Sequence, residues 1–242
     1  MFSINFKLQN NNSLYSQGRG YGFFTPEMAV TSSGTAHEQS LKSGGWNTRH
    51  FYEEVSDEGR KVQIVKVSVP SFGTYKVSVR ISALNKSIEH LTLFSSRRAM
   101  IARDVTVPCG STYEKTYHTA VTPFIPALSA TRCNDKDIFI SYTGSDVSPE
   151  NVSLDVTITE ESVPVIWIGG DSTVTDQNAG IPYYPFGSFS GWAQTLPRFI
   201  EGAAVCNMSH SGLTSNWEFV EGGLEVDLHE VELATKGTCK RL

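Results

Sequence analysis

Cysteine is scarce in this chain: four in 242 residues. Cys109, Cys133, Cys206 and Cys239 form no Cys-x-x-Cys pair and have no histidine at ligand spacing, which excludes a zinc finger or ribbon. A core of this size needs no disulfide, so the thiols read as free and buried, in a reducing compartment. Long apolar runs are also missing: nothing approaches the roughly 18 residues of a membrane-spanning helix. The first residues, "MFSINFKLQNNNSLYSQ", lack the unbroken apolar core of a secretory leader. The expectation is a cytoplasmic protein that engages no membrane. Blocks of like charge are absent as well. With 20 basic against 25 acidic residues and a net charge of -5, no basic footprint asks for a nucleic-acid partner.

What is present is a chain of 39 % hydrophobic residues, enough for one large domain or two ordinary ones. From Val62 to about Glu160 it is a series of short alternating runs. "KVQIVKVSVP" sets Val62, Ile64, Val65, Val67 and Val69 nearly every second residue. After "SFG", "TYKVSVRIS" puts Tyr75, Val77, Val79 and Ile81 on one face. "HLTLFSS", "MIARDVTVP", "KTYHTAVTPF", "DIFISYTG" and "VSLDVTITE" continue the pattern between Gly, Pro, Asn and Asp. Many short strands with no amphipathic helix among them predict an all-β sandwich or jelly roll over residues 1–160.

After Glu161 the character changes. A wholly apolar run over 163–168 ends in Gly-Gly-Asp-Ser-Thr. "SGWAQTLPRFIEG" then reads as a helix starting near Ser190, with Trp192, Leu196 and Phe199 on one side, and "AAVCNMSHSG" as a second apolar strand. Strand, helix and strand predict the opening of a parallel α/β sheet. The boundary falls near Glu160, with residues 161–242 as the second unit.

Ser172 stands just past the end of the first parallel strand, where open α/β sheets bind ligands. The glycines before it permit positive φ and close approach to the main chain, and Asp171 can brace the turn through its carboxylate. Gly-Asp-Ser also serves as an ordinary turn in which Asp and Ser satisfy local amides.

The longer string "GGDSTVTDQNAGIPYYPFGSFSGWAQ" resembles the first block of the SGNH, or GDSL-type, hydrolases, and within them the rhamnogalacturonan acetylesterases. "NMSHSGLTS", residues 207–215, is similar to that family's second block, and the β-rich region before it resembles the galactose-binding-like accessory domain found ahead of such enzymes. The resemblance implies a flavodoxin-like α/β fold for residues 161–242 and a serine esterase that removes acetyl groups from O-acetylated polysaccharide of the pectic rhamnogalacturonan kind. It gives Ser172 the role of nucleophile. The backbone amides of Ser172 and Gly212 would bind the oxyanion, worth about 3 to 4 kcal/mol per donor in acyl transfer. Asp171 would support the nucleophile turn. No metal or organic cofactor is implied.

Two family blocks have no counterpart. There is no Gly-x-Asn-Asp to supply a further oxyanion donor and no Asp-x-x-His to supply the base and its orienting acid. Asp227 and His229 are two apart, a spacing that points their side chains to nearly opposite sides of a helix. His210 lies inside the second block, where local hydrogen bonding at a strand exit is its expected role. Residues 163–242 hold two or three parallel strands at roughly 30 residues per βαβ unit, against about five or six in a doubly wound sheet. The expectation is therefore a whole accessory domain followed by only the N-terminal portion of a hydrolase domain, weakly active or inactive. Self-association through an unfinished sheet edge would follow. The rival reading is a non-catalytic carbohydrate-binding or interaction module with a vestigial hydrolase segment.

Further candidates are aromatic. Trp46, in "SLKSGGWNTRHFYEE", sits in a cluster suited to stacking on a sugar, or to a core. Tyr183, Tyr184 and Phe186, in "PYYPFGSF", would form a substrate wall beside the nucleophile turn, or pack between the domains. Arg97, Arg98 and Arg103 read as surface cations paired with carboxylates, in preference to binders of acidic pectin sugars.

Overall fold

A computed structural model describes residues 1–9, 13–24, 61–95, 99–122, 136–174 and 191–209. These form β1 (Ser3–Leu8), β2 (Tyr21–Phe23), β3 (Lys61–Ser68), β4 (Gly73–Ala83), β5 (Ile88–Ser95), β6 (Ala99–Val107), β7 (Thr112–Val121), β8 (Asp137–Gly144), β9 (Val152–Glu160), β10 (Val165–Ile168) and β11 (Ala204–Asn207). One α-helical turn, α1 (Trp192–Thr195), runs directly into a 3-10 turn (Leu196–Phe199). Two sheets result, a six-stranded one in the order β1-β9-β4-β7-β11-β10 and a five-stranded one in the order β2-β3-β8-β5-β6.

The alternation seen in the sequence builds the interior. In β4 the side chains of Tyr75, Val77, Val79 and Ile81 are buried, while Lys76 and Arg80 on the other face are exposed. They face Val65 and Val67 of β3, Leu91 and Leu93 of β5, and Ile138, Ile140 and Tyr142 of β8, in one continuous apolar cluster. Two sheets, antiparallel through β1 to β9, packed on a shared core are a β-sandwich, as the spacing of the short strands predicts. β1, which the sequence pattern had not suggested, pairs antiparallel with β9 along its whole length.

β3 departs from simple alternation. Lys66 is 3 % exposed although it lies on the face opposite the core. The segment 13–24 covers that face, with the Lys66 ammonium 4.6 Å from the Tyr15 ring centroid and 3.3 Å from Asp137 Oδ2. The Ser68 hydroxyl donates to Asp137 Oδ1 at 2.8 Å, so the buried carboxylate is both paired and hydrogen-bonded.

β10 and β11 are parallel and joined through α1, as the strand-helix-strand reading predicts. They do not form a sheet of their own. β11 also runs parallel to β7, bridged at Val205 and Thr119, so the pair continues the six-stranded sheet. Two four-residue strands have too little apolar surface for an independent layer, and pairing β11 with β7 satisfies two open edges at once. The helical connection packs across the sandwich against β6, where Arg198 Nη1 lies 3.7 Å from Met100 Sδ.

The thiols need one correction. Cys206 is a buried thiol in no disulfide, as expected, but Cys109, in the turn after β6, is an exposed thiol in no disulfide. It lies just past Pro108 in the turn that carries the chain from one sheet to the other, where a side chain has little to pack beneath. Cys133 and Cys239 lie outside the described residues. Among the described residues no helix is long and apolar enough to cross a membrane.

Candidate functional site

The site is built where β10 and β11 end. Beyond Ile168 the chain turns through Gly169 and Gly170, and Gly170 adopts φ +153°. A Cβ there would stand 2.7 Å from Val174 Cγ2, so side-chain room as well as backbone conformation requires glycine. Gly169 needs no such conformation.

Asp171 closes the turn. Its Oδ1 accepts from the Thr173 amide at 2.9 Å and from the Thr173 hydroxyl at 2.8 Å, an Asx-turn extended by one hydroxyl. Those two bonds, the hydroxyl's first, hold the Asp171 carboxyl below the ordinary range. Asp171 thus ties its carboxylate to the residue two positions on. Ser172 is half-buried at the apex.

Neighbouring elements lock this turn. The Trp192 amide, at the start of α1, donates to Thr173 O at 3.0 Å, and the Met208 amide donates to Ile168 O at 2.7 Å. Asn207 ties the two strand ends together: its Nδ2 donates to Val174 O at 3.2 Å, and its Oδ1 accepts from the Ser209 amide at 3.2 Å. Sequence reasoning gave Asn207 no role. The available signal was an asparagine at the exit of an apolar strand, where its side chain can substitute for backbone in a turn.

No described histidine reaches Ser172. His118 stands next to Thr119 in β7, and the register places it level with Ala204 and Val165, at the start of the parallel strands. Its Nε2 faces Glu161 Oε1 at 3.5 Å. Ser172 lies past the other end, beyond the length of β10, a rise of about 10 Å. His90 belongs to the other sheet, with Nδ1 2.8 Å from Asp104 Oδ1. Among the described residues no three His, Cys, Asp or Glu side chains gather as a metal site.

The helical connection corrects the sequence reading in another way. Trp192 and Phe199 do share a side, but it faces solvent: they are 55 % and 70 % exposed. Ala193, Gln194 and Pro197 are the residues that turn inward. Pro197 near the start of the 3-10 turn breaks the α-helical hydrogen bonding and shortens the helix to one turn.

Gly212, His210, Asp227 and His229 lie outside the described residues, as do Trp46, Tyr183, Tyr184, Phe186, Arg97 and Arg98. Arg103 is an exposed residue of β6.

No protein-family model matches this chain, and no curated protein matches it in sequence. Among solved structures, a family 35 carbohydrate-binding module from Clostridium thermocellum aligns at 9 % identity and a TM-score of 0.29, covering 65 % of this chain and 99 % of its own. A CBM35 from Cellvibrio japonicus Abf62 aligns at 13 % identity and a TM-score of 0.28, covering 66 % of this chain and 99 % of its own. The Podospora anserina GH26-CBM35 β-(1,4)-mannanase aligns at 13 % identity and a TM-score of 0.28, covering 65 % of this chain but only 28 % of its own. At these scores the alignments assign no family and no ligand.

Proposed function

We propose that this chain is a carbohydrate-binding β-sandwich carrying a vestigial segment of an SGNH-type acetylesterase, and that it performs no hydrolysis by itself. The observation that carries the non-catalytic half is the separation of Ser172 from both described imidazoles, one at the far end of the parallel strands and one in the other sheet. A serine hydroxyl becomes a strong nucleophile only with a base within hydrogen-bond reach, and neither described imidazole is placed to serve as one. The turn keeps its shape because Asp171, Thr173, Asn207 and Trp192 hold it, and none of those bonds supplies a proton acceptor to Ser172.

The carbohydrate half is supported by the resemblance of residues 163–194 to polysaccharide acetylesterases and by the sandwich that precedes them. In such enzymes a β-sandwich of this kind serves as the accessory domain that engages the polymer. In this chain the ligand class is an acetylated or de-acetylated polysaccharide or oligosaccharide.

The test pairs two measurements on the purified 242-residue chain. Affinity electrophoresis through gels containing pectic, mannan and xylan polysaccharides should show retardation by at least one polymer. Hydrolysis of 4-nitrophenyl acetate and acetylated pectin should be the same for the wild type and Ser172→Ala. Turnover that disappears in Ser172→Ala would sink the non-catalytic reading and direct the search to a histidine beyond the described residues. Free migration in every gel would sink the carbohydrate reading.

A further inference from the structure

We infer that Trp192, Arg198 and Phe199 form a binding face for an acidic glycan, a chain bearing uronic-acid carboxylates, laid along the helical connection beside the Ser172 turn. The inference rests on the carbohydrate-binding function proposed above and gives it a location.

Trp192 and Phe199 are the only described aromatic side chains among the exposed large hydrophobics. They lie on one short element and are seven residues apart. One α-helical turn followed by one 3-10 turn separates them by about 12 Å along the axis and brings them to within about 60° of the same side. Two rings so spaced can each take the apolar C–H face of a different sugar of one chain. The Trp192 amide bond to Thr173 O fixes the first ring at the serine turn.

Beside the second ring lies a cation. The Arg198 guanidinium carbon is 5.1 Å from the Phe199 ring centroid, and Nη1 rests against Met100 Sδ at 3.7 Å. No described carboxylate pairs with it, although a guanidinium carries five donors. A half-buried arginine held against a ring, with donors to spare, is arranged to take a carboxylate in a fork of two hydrogen bonds. Sugar faces for the rings and a carboxylate for the cation are the two properties of a uronate-bearing glycan. A protein interface of ordinary size would instead need about 800 Å² on each partner around a contiguous apolar centre. Here the rings stand one α-helical and one 3-10 turn apart, with the polar Thr195 and Arg198 between them in sequence.

The experiment measures retardation of the whole chain in gels of polygalacturonate, alginate and neutral glucomannan, for wild type, Trp192→Ala, Phe199→Ala, Arg198→Gln and Arg198→Lys. Thermal unfolding of each variant identifies any that fail to fold. The expected result is wild-type retention by an acidic polymer, with dissociation constants about tenfold higher for each ring variant. Arg198→Gln should lose the preference for acidic over neutral polymer, and Arg198→Lys should keep part of it. Retention that is unchanged in the folded ring variants overturns this face alone, leaving sugar binding elsewhere on the sandwich. Equal retention by neutral glucomannan, insensitive to Arg198→Gln, overturns the acidic ligand. Absence of retention for the wild type overturns both this face and the proposed function. A wild-type dimer in sedimentation that becomes a monomer in Trp192→Ala or Phe199→Ala shows that a second copy covers the rings, which also overturns the inference.

Discussion

The hydroxyl of Tyr142 enters the interior between the two sheets and finds no hydrogen-bond partner among the described residues. Burial pushes the Tyr142 phenol above its ordinary value, since its anion would be stranded in an apolar medium. Tyr117, across the core in β7, is raised for the same reason. Two consequences follow at this position. Removing an unpaired buried hydroxyl removes its desolvation cost, so Tyr142→Phe should leave the protein as stable as before or more stable by up to about 2 kcal/mol at pH 7, read by urea unfolding. The second concerns pH. The unfolded phenol ionises near its ordinary value of 10.0, while the folded one stays protonated. Above that pH the unfolded state therefore holds fewer protons and is favoured, so wild-type stability falls as pH rises. Tyr142→Phe should escape one such term, gaining on the wild type by up to about 1.4 kcal/mol per pH unit between pH 10 and 11. A difference that stays constant through pH 11 would mean that the hydroxyl ionises freely in the folded protein.

β11 is the element on which β10 and the turn at Ser172 depend, because it lies between β7 and β10 and holds that turn through Asn207. A proline at Val205 would place a residue with no amide hydrogen in an inner strand. In Val205→Pro, hydrogen exchange in β10 and β11 should accelerate about tenfold or more, while β4, β7 and β9 keep their protection. Uniform loss of protection would show that the sandwich needs β11 to fold. The elements that sequence made legible were those with one buried face. Tyr75, Val77, Val79 and Ile81 alternate with exposed residues because one sheet face meets the core and the other meets water. β3 was only half legible, because what buries Lys66 is a segment some forty residues earlier, and no local pattern encodes a cover from so far away. The connection holding α1 was legible as helical but not in its facing. The 3.6-residue period places Trp192 and Phe199 together, yet which side meets protein depends on β6, nearly a hundred residues earlier. At the site, the Asx-turn of Asp171 was legible from Gly-Asp-Ser-Thr, whereas the bond from Asn207 to Val174 O depended on the parallel register of β10 and β11.

The molecule joins two unequal parts through one sheet. β4 is paired with β7 from Gly73 to Ser82 and with β9 from Tyr75 to Ala83, so the sandwich is bound by long ladders around a shared core. β11 meets β7 at the single bridged pair Val205 and Thr119, and among the described residues the strand that pairs with β10 is β11. Cooperativity requires that losing one part cost the other its contacts, and a single bridge with a short helical connection transmits little of that cost. The tryptophans make the difference measurable. Trp167 is in β10 and Trp192 in α1, while the described residues of the sandwich contain none. With Trp46 and Trp217, which lie outside the described residues, replaced by Phe, tryptophan fluorescence follows the β10–α1–β11 part, and far-ultraviolet circular dichroism follows mainly the nine strands before it. In urea, the fluorescence transition of the whole chain should precede the dichroism transition. A stability gap of about 2 kcal/mol would separate the midpoints by about 1 M at the usual dependence on denaturant. Superimposed transitions would show that the parts unfold as one unit, and that the bridge at Val205, with the packing of Arg198 on Met100, couples them more tightly than the length of their shared ladder implies.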